Sequence, residues 1–175
     1  MRIRNVIVGP LRTNCYLIYK DEEMVVVDPG AEAEKIVEVI RELGISPKFI
    51  INTHSHYDHT MANKKVAKET GAVLKTDLKE GDVISIGSGH LKVIETPGHT
   101  TDSICFLADD FLIAGDVLFS DGRGRTDLPG GSLEEMRETV NRLKEIIPPK
   151  MIVYSGHGES FIAKDHYLLS GRKEI

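Results

Sequence analysis

The chain has no tryptophan and no glutamine, and only two cysteines, Cys15 and Cys105. Two thiols cannot build a disulfide framework. Each sits in an apolar run, one beside Tyr16-Leu17-Ile18 and one between Ile104 and Phe106, where a free thiol acts as a small hydrophobe. They read as buried and inert, which fits a reducing cytoplasm. No apolar run is long enough to span a membrane, and Met1-Arg2-Ile3-Arg4-Asn5-Val6 alternates as a strand rather than as a signal peptide. Positive charge is not in excess: 22 Lys and Arg against 27 Asp and Glu leave a net charge of -5, so nucleic acid is not an expected partner. Repeats, linkers and low-complexity segments are also missing. What remains is ordinary globular composition, 41% hydrophobic and 28% charged, over 175 residues. That predicts one domain spanning 1–175, with a substantial core. Abundant Glu and Lys with no Gln lean toward a thermophilic source.

The most informative stretch is Asn52-Thr53-His54-Ser55-His56-Tyr57-Asp58-His59-Thr60. His54, His56, Asp58 and His59 fall within six positions. A lone loop histidine is usually solvated or satisfied by one hydrogen bond. Four such groups together would crowd uncompensated polar atoms at the mouth of a core, unless they bind zinc or a similar cation. The stretch is expected in a loop between the strand Lys48 to Asn52 and a helix over Met61 to Thr70.

Periodicity places the remaining elements. Strands are expected from Ile3 to Val8, Cys15 to Tyr19, Met24 to Val27, Ala72 to Lys75, Val83 to Ile86, Leu91 to Glu95, Ser103 to Ala108, Phe111 to Ala114 and Met151 to Tyr154. A helix over Glu32 to Leu43 carries Ile36, Val39, Ile40 and Leu43 at helical spacing, and Gly44 stops it. Ser120 to Gly131 reads as a glycine-rich loop with Arg123 and Arg125. Ser132 and Glu135 form a capping box for a third helix. Its stripe of Leu133, Met136, Val140, Leu143 and Ile147 is core, not a cofactor box. His90 falls in a glycine-rich turn and should be exposed. His166 is expected to cap the C-terminal segment rather than line a pocket.

Three further strand ends carry ligand-type residues beside glycine: Gly98-His99, Gly115-Asp116 and Gly156-His157-Gly158. With the first cluster they make seven ligands, too many for one tetrahedral zinc and suited to two metals sharing a bridging carboxylate. Asp28, Thr53 and Ser155 are the candidates to orient the histidines.

The succession His-x-His-x-Asp-His, Gly-His, Gly-Asp, Gly-His resembles the metallo-β-lactamase superfamily. Thr96-Pro97-Gly98-His99-Thr100, Gly115-Asp116-Val117-Leu118-Phe119 and Gly124-Arg125-Thr126-Asp127-Leu128-Pro129-Gly130-Gly131-Ser132 look like its glyoxalase II (hydroxyacylglutathione hydrolase) branch, in a short form without the C-terminal helical domain that helps hold glutathione. The resemblance covers about residues 14 to 160. It implies an α+β fold, a four-layer αββα sandwich of two mixed sheets with helices on the outer faces. His54, His56 and His99 would hold one divalent metal, and Asp58, His59 and His157 the other. Asp116 would bridge them. Zinc is the first choice, with iron or manganese as alternatives.

The implied reaction is hydrolysis of a small thioester or related ester, with Asp58 and Asp116 as catalytic carboxylates. Arg125, and more weakly Arg123, would bind substrate. Where the family often has small residues and glycine, this chain has Thr60-Met61-Ala62-Asn63, so Met61 should reshape the pocket wall. The main alternative on the same fold is a persulfide dioxygenase with one iron on His54, His99 and Asp116. A nuclease is disfavoured by the acidic balance, and a closed structural zinc site by the number of ligands.

Overall fold

The computed structural model describes residues 1–170; residues 171–175, Arg172 among them, lie outside the described residues. The chain opens as an antiparallel meander of β1 (Arg2–Val8), β2 (Thr13–Lys20) and β3 (Glu23–Val27). Parallel strands β4 (Pro47–Ile51) and β5 (Val73–Leu74) extend it, giving a mixed sheet in the order β1-β2-β3-β4-β5. The second sheet contains β6 (Val83–Ile86), β7 (Gly89–Glu95), β8 (Ile104–Leu107) and β9 (Phe111–Gly115). After the small hairpin of β10 (Leu118–Phe119) and β11 (Gly122–Arg123), it adds β12 (Ile152–Ser155) parallel to β9, and then β13 (Phe161–Ile162). Its order is β13-β12-β9-β8-β7-β6.

The central strands read as unbroken apolar runs because both of their faces are covered. Alternate residues of β2 and β3 divide between two cores: Tyr16, Ile18, Val25 and Val27 face the second sheet, while Cys15, Leu17, Met24 and Val26 face outward. Helices α1 (Ala33–Leu43) and α3 (Asn63–Thr70) cover that outward face through Ile36, Ile40 and Val66. On the far side of the second sheet lies α4 (Leu133–Ile146), packed through Met136, Val140 and Leu143 against Cys105, Leu112 and Val153. The result is the four-layer αββα sandwich that the sequence led us to expect. No described helix is long and apolar enough to cross a membrane.

Two local details steer the site. Gly44 closes α1 in the left-handed region at φ 68° as expected, its N–H donating to the Arg41 carbonyl. At α4 only half of the capping box forms. Ser132 Oγ accepts the Glu135 N–H at 3.3 Å, but the Ser132 N–H donates to the Gly98 carbonyl at 2.8 Å instead of to Glu135. The start of α4 is thereby tied to the turn carrying His99. A side chain at Gly98 (φ 135°) would meet the backbone of Met136 at 2.5 Å, so glycine is required for that approach.

Candidate metal centre

All seven candidate ligands gather on one rim of the sandwich. His54 and His56 follow β4, His99 follows β7, Asp116 follows β9 and His157 follows β12. Asp58 and His59 are not in a loop, contrary to expectation. They lie on a four-residue helix, α2 (Tyr57–Thr60), separate from α3. The break has a local cause: the Ala62 N–H leaves the helical ladder and donates to the Pro29 carbonyl at 3.0 Å. Asn14 stitches the sheets together at this rim. Its N–H bonds the Gly156 carbonyl at 2.7 Å, and its amide bonds the carbonyls of Ser155 and Gly158 at 3.0 and 2.9 Å.

Each histidine is aimed by what its other nitrogen touches. Thr53 donates its N–H and its hydroxyl to Asp28, both at 2.7 Å. The Thr53 oxygen is then free to accept the His54 Nδ1–H at 3.0 Å. His59 Nδ1–H donates to Asp28 Oδ2 at 3.0 Å. His99 Nδ1–H goes to the Arg125 carbonyl at 2.8 Å, and His157 Nδ1–H to the Leu11 carbonyl at 2.9 Å. In these four rings Nδ1 carries a proton and Nε2 points inward. His56 is turned the other way: its Nδ1 lies 3.1 Å from His54 Nε2 and 3.0 Å from His99 Nε2. His59 Nε2 lies 3.3 Å from His157 Nε2.

Ring nitrogens facing one another at such distances repel unless a proton or a metal cation lies among them. Three groups are tight enough to hold one: His54, His56 and His99; His54, His59 and Asp116; and Asp58, His59 and His157. In each, the ligand atoms lie within 4.8 Å of one another. Asp116 touches both halves, with Oδ1 3.4 Å from His59 Nε2 and Oδ2 3.6 Å from His99 Nε2. Its Oδ1 is buried without a hydrogen-bond partner among the described residues. A buried carboxylate oxygen rarely stays unpaired, so this orphan fits a metal ligand. The donor set of imidazoles and carboxylates suits zinc or iron.

In the metal-free cluster the imidazoles divide the charge unevenly. Burial, helped by the neighbouring His59, pushes His54 down to about 4, so it is neutral and ready to ligate. Burial also opposes charge on His59, but Asp28 and Asp116 outweigh it and raise the imidazole to about 10. Asp116 is held well below the usual carboxylate range: burial works against this, but the His157 and His59 rings prevail.

The other sequence-based candidates are placed as follows. Asp28 and Thr53 orient ligands as expected. Ser155 does not: its hydroxyl has no partner among the described residues, and it contributes its carbonyl, which accepts the Tyr16 hydroxyl at 2.6 Å. The expected loop of Ser120 to Gly131 contains the turn and second strand, β11, of the β10–β11 hairpin, with Arg123 at its end. Arg125 is exposed, and its guanidinium forms a two-pronged pair with Asp127 at 2.9 and 2.8 Å. His90 is exposed, as expected, but it belongs to β7 opposite Ser85 rather than to the turn. His166 is buried between Phe161 and Tyr167, away from the cluster, and its Nε2 donates to the Gly122 carbonyl at 3.1 Å. The carbonyls of Leu11 and Arg125 were not foreseen, since every residue has one. Nor was Thr13, whose hydroxyl donates to Asp58 Oδ2 at 3.3 Å.

The chain is similar to known proteins. The family model of the metallo-beta-lactamase superfamily matches residues 8–80 and 72–157. A probable metallo-hydrolase of Bacillus subtilis (strain 168), YqgX, is 33% identical, with 90% of each chain covered. The hydroxyacylglutathione hydrolase GloC of Haemophilus influenzae is 27% identical over 90% of this chain and 91% of its own. The crystal structure of TTHA1623 in a di-iron-bound form superposes with a TM-score of 0.85 at 27% identity, covering 97% of both chains.

Proposed function

The chain belongs to the metallo-beta-lactamase superfamily and is a metal-dependent hydrolase, and we propose that it is a dinuclear thioesterase of the glyoxalase II type, acting on a small thioester or related ester. The observation that carries this reading is Asp116, whose carboxylate lies 3.6 Å from His99 Nε2 in one half of the ligand cluster and 3.4 and 3.5 Å from His59 and His157 Nε2 in the other. The likeness to the hydroxyacylglutathione hydrolase of Haemophilus influenzae supports the substrate class, and the di-iron form of TTHA1623 supports two metals.

In this reading His54, His56 and His99 would hold one metal and Asp58, His59 and His157 the second, with Asp116 between the two groups. When bound, such ions supply a water-derived nucleophile near neutral pH, since a bound water's pKa falls to about 7, and they polarise the scissile carbonyl. The chain's own residues do the rest. Asp28, Thr53 and the carbonyls of Leu11 and Arg125 keep the imidazole protons on Nδ1, so that Nε2 stays available. Asp58, steadied by Thr13, is the carboxylate placed to accept a proton from the attacking water. No cysteine nucleophile is required: Cys15 and Cys105 are buried, and burial pushes the Cys105 thiol up to about 12. Both are unpaired, which supports a reducing cytoplasm as the compartment. Arg125 and Arg123 bind substrate at the lip, where an anionic thiol carrier would have to displace Asp127 from Arg125.

A second reading, a persulfide dioxygenase with one iron, would use His54, His99 and Asp116; His99 Nε2 lies 3.6 Å from Asp116 Oδ2, and the His54 and His99 ring centroids are 5.0 Å apart. Elemental analysis of protein purified without chelator or added metal separates the two. About two zinc or mixed zinc and iron ions per chain, with turnover of a thioester panel, supports the hydrolase. One iron per chain with oxygen uptake on a persulfide supports the dioxygenase.

A further inference from the structure

Tyr57 and Met61 are the two most exposed large apolar side chains among the described residues, at 64% and 63%, and Leu11 is also exposed, at 51%. Scattered exposed apolar residues are ordinary, but these three share one mouth. They rim a cavity of about 50 Å³ whose wall also includes Pro10, Thr13 and Asp58, one of the cluster carboxylates.

The rim is rigid. The Met61 N–H donates to the Tyr57 carbonyl at 2.9 Å, so their side chains stand one helical turn apart on the same face. Leu11 lies in a tight loop in which the Arg12 N–H bonds the Gly9 carbonyl at 3.1 Å and the Gly9 N–H bonds Glu32 Oε2 at 2.7 Å. The Leu11 carbonyl also holds His157 at 2.9 Å, so the apolar rim and the ligand cluster are one fixed unit.

We propose that Leu11, Tyr57 and Met61 form a shelf beside Asp58 that receives an alkyl arm of the substrate, so that the enzyme acts on thioesters bearing a chain of several carbons. This rests on the thioesterase reading. The cavity seats only the first carbons, and the exposed faces of Tyr57 and Met61 cover the next. Each methylene buried there should raise apparent affinity about four-fold until the shelf is covered. The arm can belong to the acyl group or to the thiol.

The test uses metal-loaded enzyme and two series of thioesters. One extends the acyl group from acetyl to hexanoyl to decanoyl on N-acetylcysteamine, and the other extends the alkyl thiol on a fixed acetyl group. In one series kcat/KM should rise at least about ten-fold from the shortest to the middle member. Met61→Ser and Leu11→Ser should each flatten that rise. Turnover without chain-length dependence in either series, or a slope that both variants leave intact, overturns the shelf while leaving the thioesterase reading in place.

Calorimetric titration with inert S-alkyl thioethers of N-acetylcysteamine decides the matter without turnover. Affinity that grows with alkyl length and is lost in Met61→Ser supports the shelf even if no thioester is cleaved, an outcome that would remove the thioesterase reading alone. Length-independent affinity overturns the shelf. If it comes with a solution dimer that Met61→Ser disperses, the apolar face is a contact between copies of the chain.

Discussion

Asp28 accepts the His59 Nδ1–H at 3.0 Å between side chains 1% and 0% exposed. The same carboxylate takes both donors of Thr53, and Thr53 in turn holds His54. One buried acid therefore orients a ligand in each half of the cluster. In Asp28→Asn an amide N–H₂ would face donors where an oxygen is needed. Metal affinity should fall ~10–100-fold, measured by competition with a coloured chelator. Unchanged affinity would mean that the Asp28 contacts are not what aims these rings.

Asp116→Ala removes the group between the two halves. Thioester turnover should drop by at least about 100-fold, with the circular dichroism spectrum retained and metal content lowered. Wild-type turnover in this variant would refute the bridging role.

At Gly156 a methyl group would overlap Asp116 Oδ1 and lie 2.8 Å from His59 Cε1. Gly156→Ala should therefore lose metal and activity together although no ligand is altered. Elemental analysis of the purified variant checks this, and full metal loading would contradict it.

The metal-free protein should weaken toward alkaline pH. His59 is raised in the folded state from 6.5 to about 10, so its charged contacts with Asp28 and Asp116 contribute stability that is whole below pH 6.5 and lost as pH rises through about 10. Metal occupies the same nitrogen without its proton, so loading should remove this dependence and release protons. Melting curves of chelated and loaded protein across that range compare the two; parallel curves would refute the assignment to His59.

Arg125 pairs with Asp127 at the surface while its carbonyl holds His99. Arg125→Ala keeps the carbonyl and deletes the guanidinium. It should raise KM for a glutathione thioester several-fold, with little effect on an uncharged thiol, because an exposed charge pair gives only about 0.2–1 kcal/mol. Equal effects on both substrates would argue against carboxylate recognition by this arginine.

The cluster of candidate ligands was legible from the sequence because only a few side chains bind such cations, and they stand here in dense or glycine-flanked groups at strand ends. The αββα layering was expected through the family resemblance, while periodicity marked the helical stripes over Ile36 and Ile40 and over Met136, Val140 and Leu143 that pack against the sheets. The start of a helix at Tyr57 was hidden, because its end depends on the Pro29 carbonyl capturing the Ala62 N–H. The half-formed capping box at Ser132 was hidden for the same kind of reason, since Gly98 takes the donor that Glu135 would have satisfied.

Sequence alone therefore determined which side chains are candidates to meet a metal. Tertiary structure decided how they are aimed. His157 is held by the carbonyl of Leu11, 146 residues away, and His99 by that of Arg125. A carbonyl is common to every residue, so residue type does not reveal which one will serve. Only the packing of two sheets and their loops brings a particular backbone oxygen within reach of a particular ring.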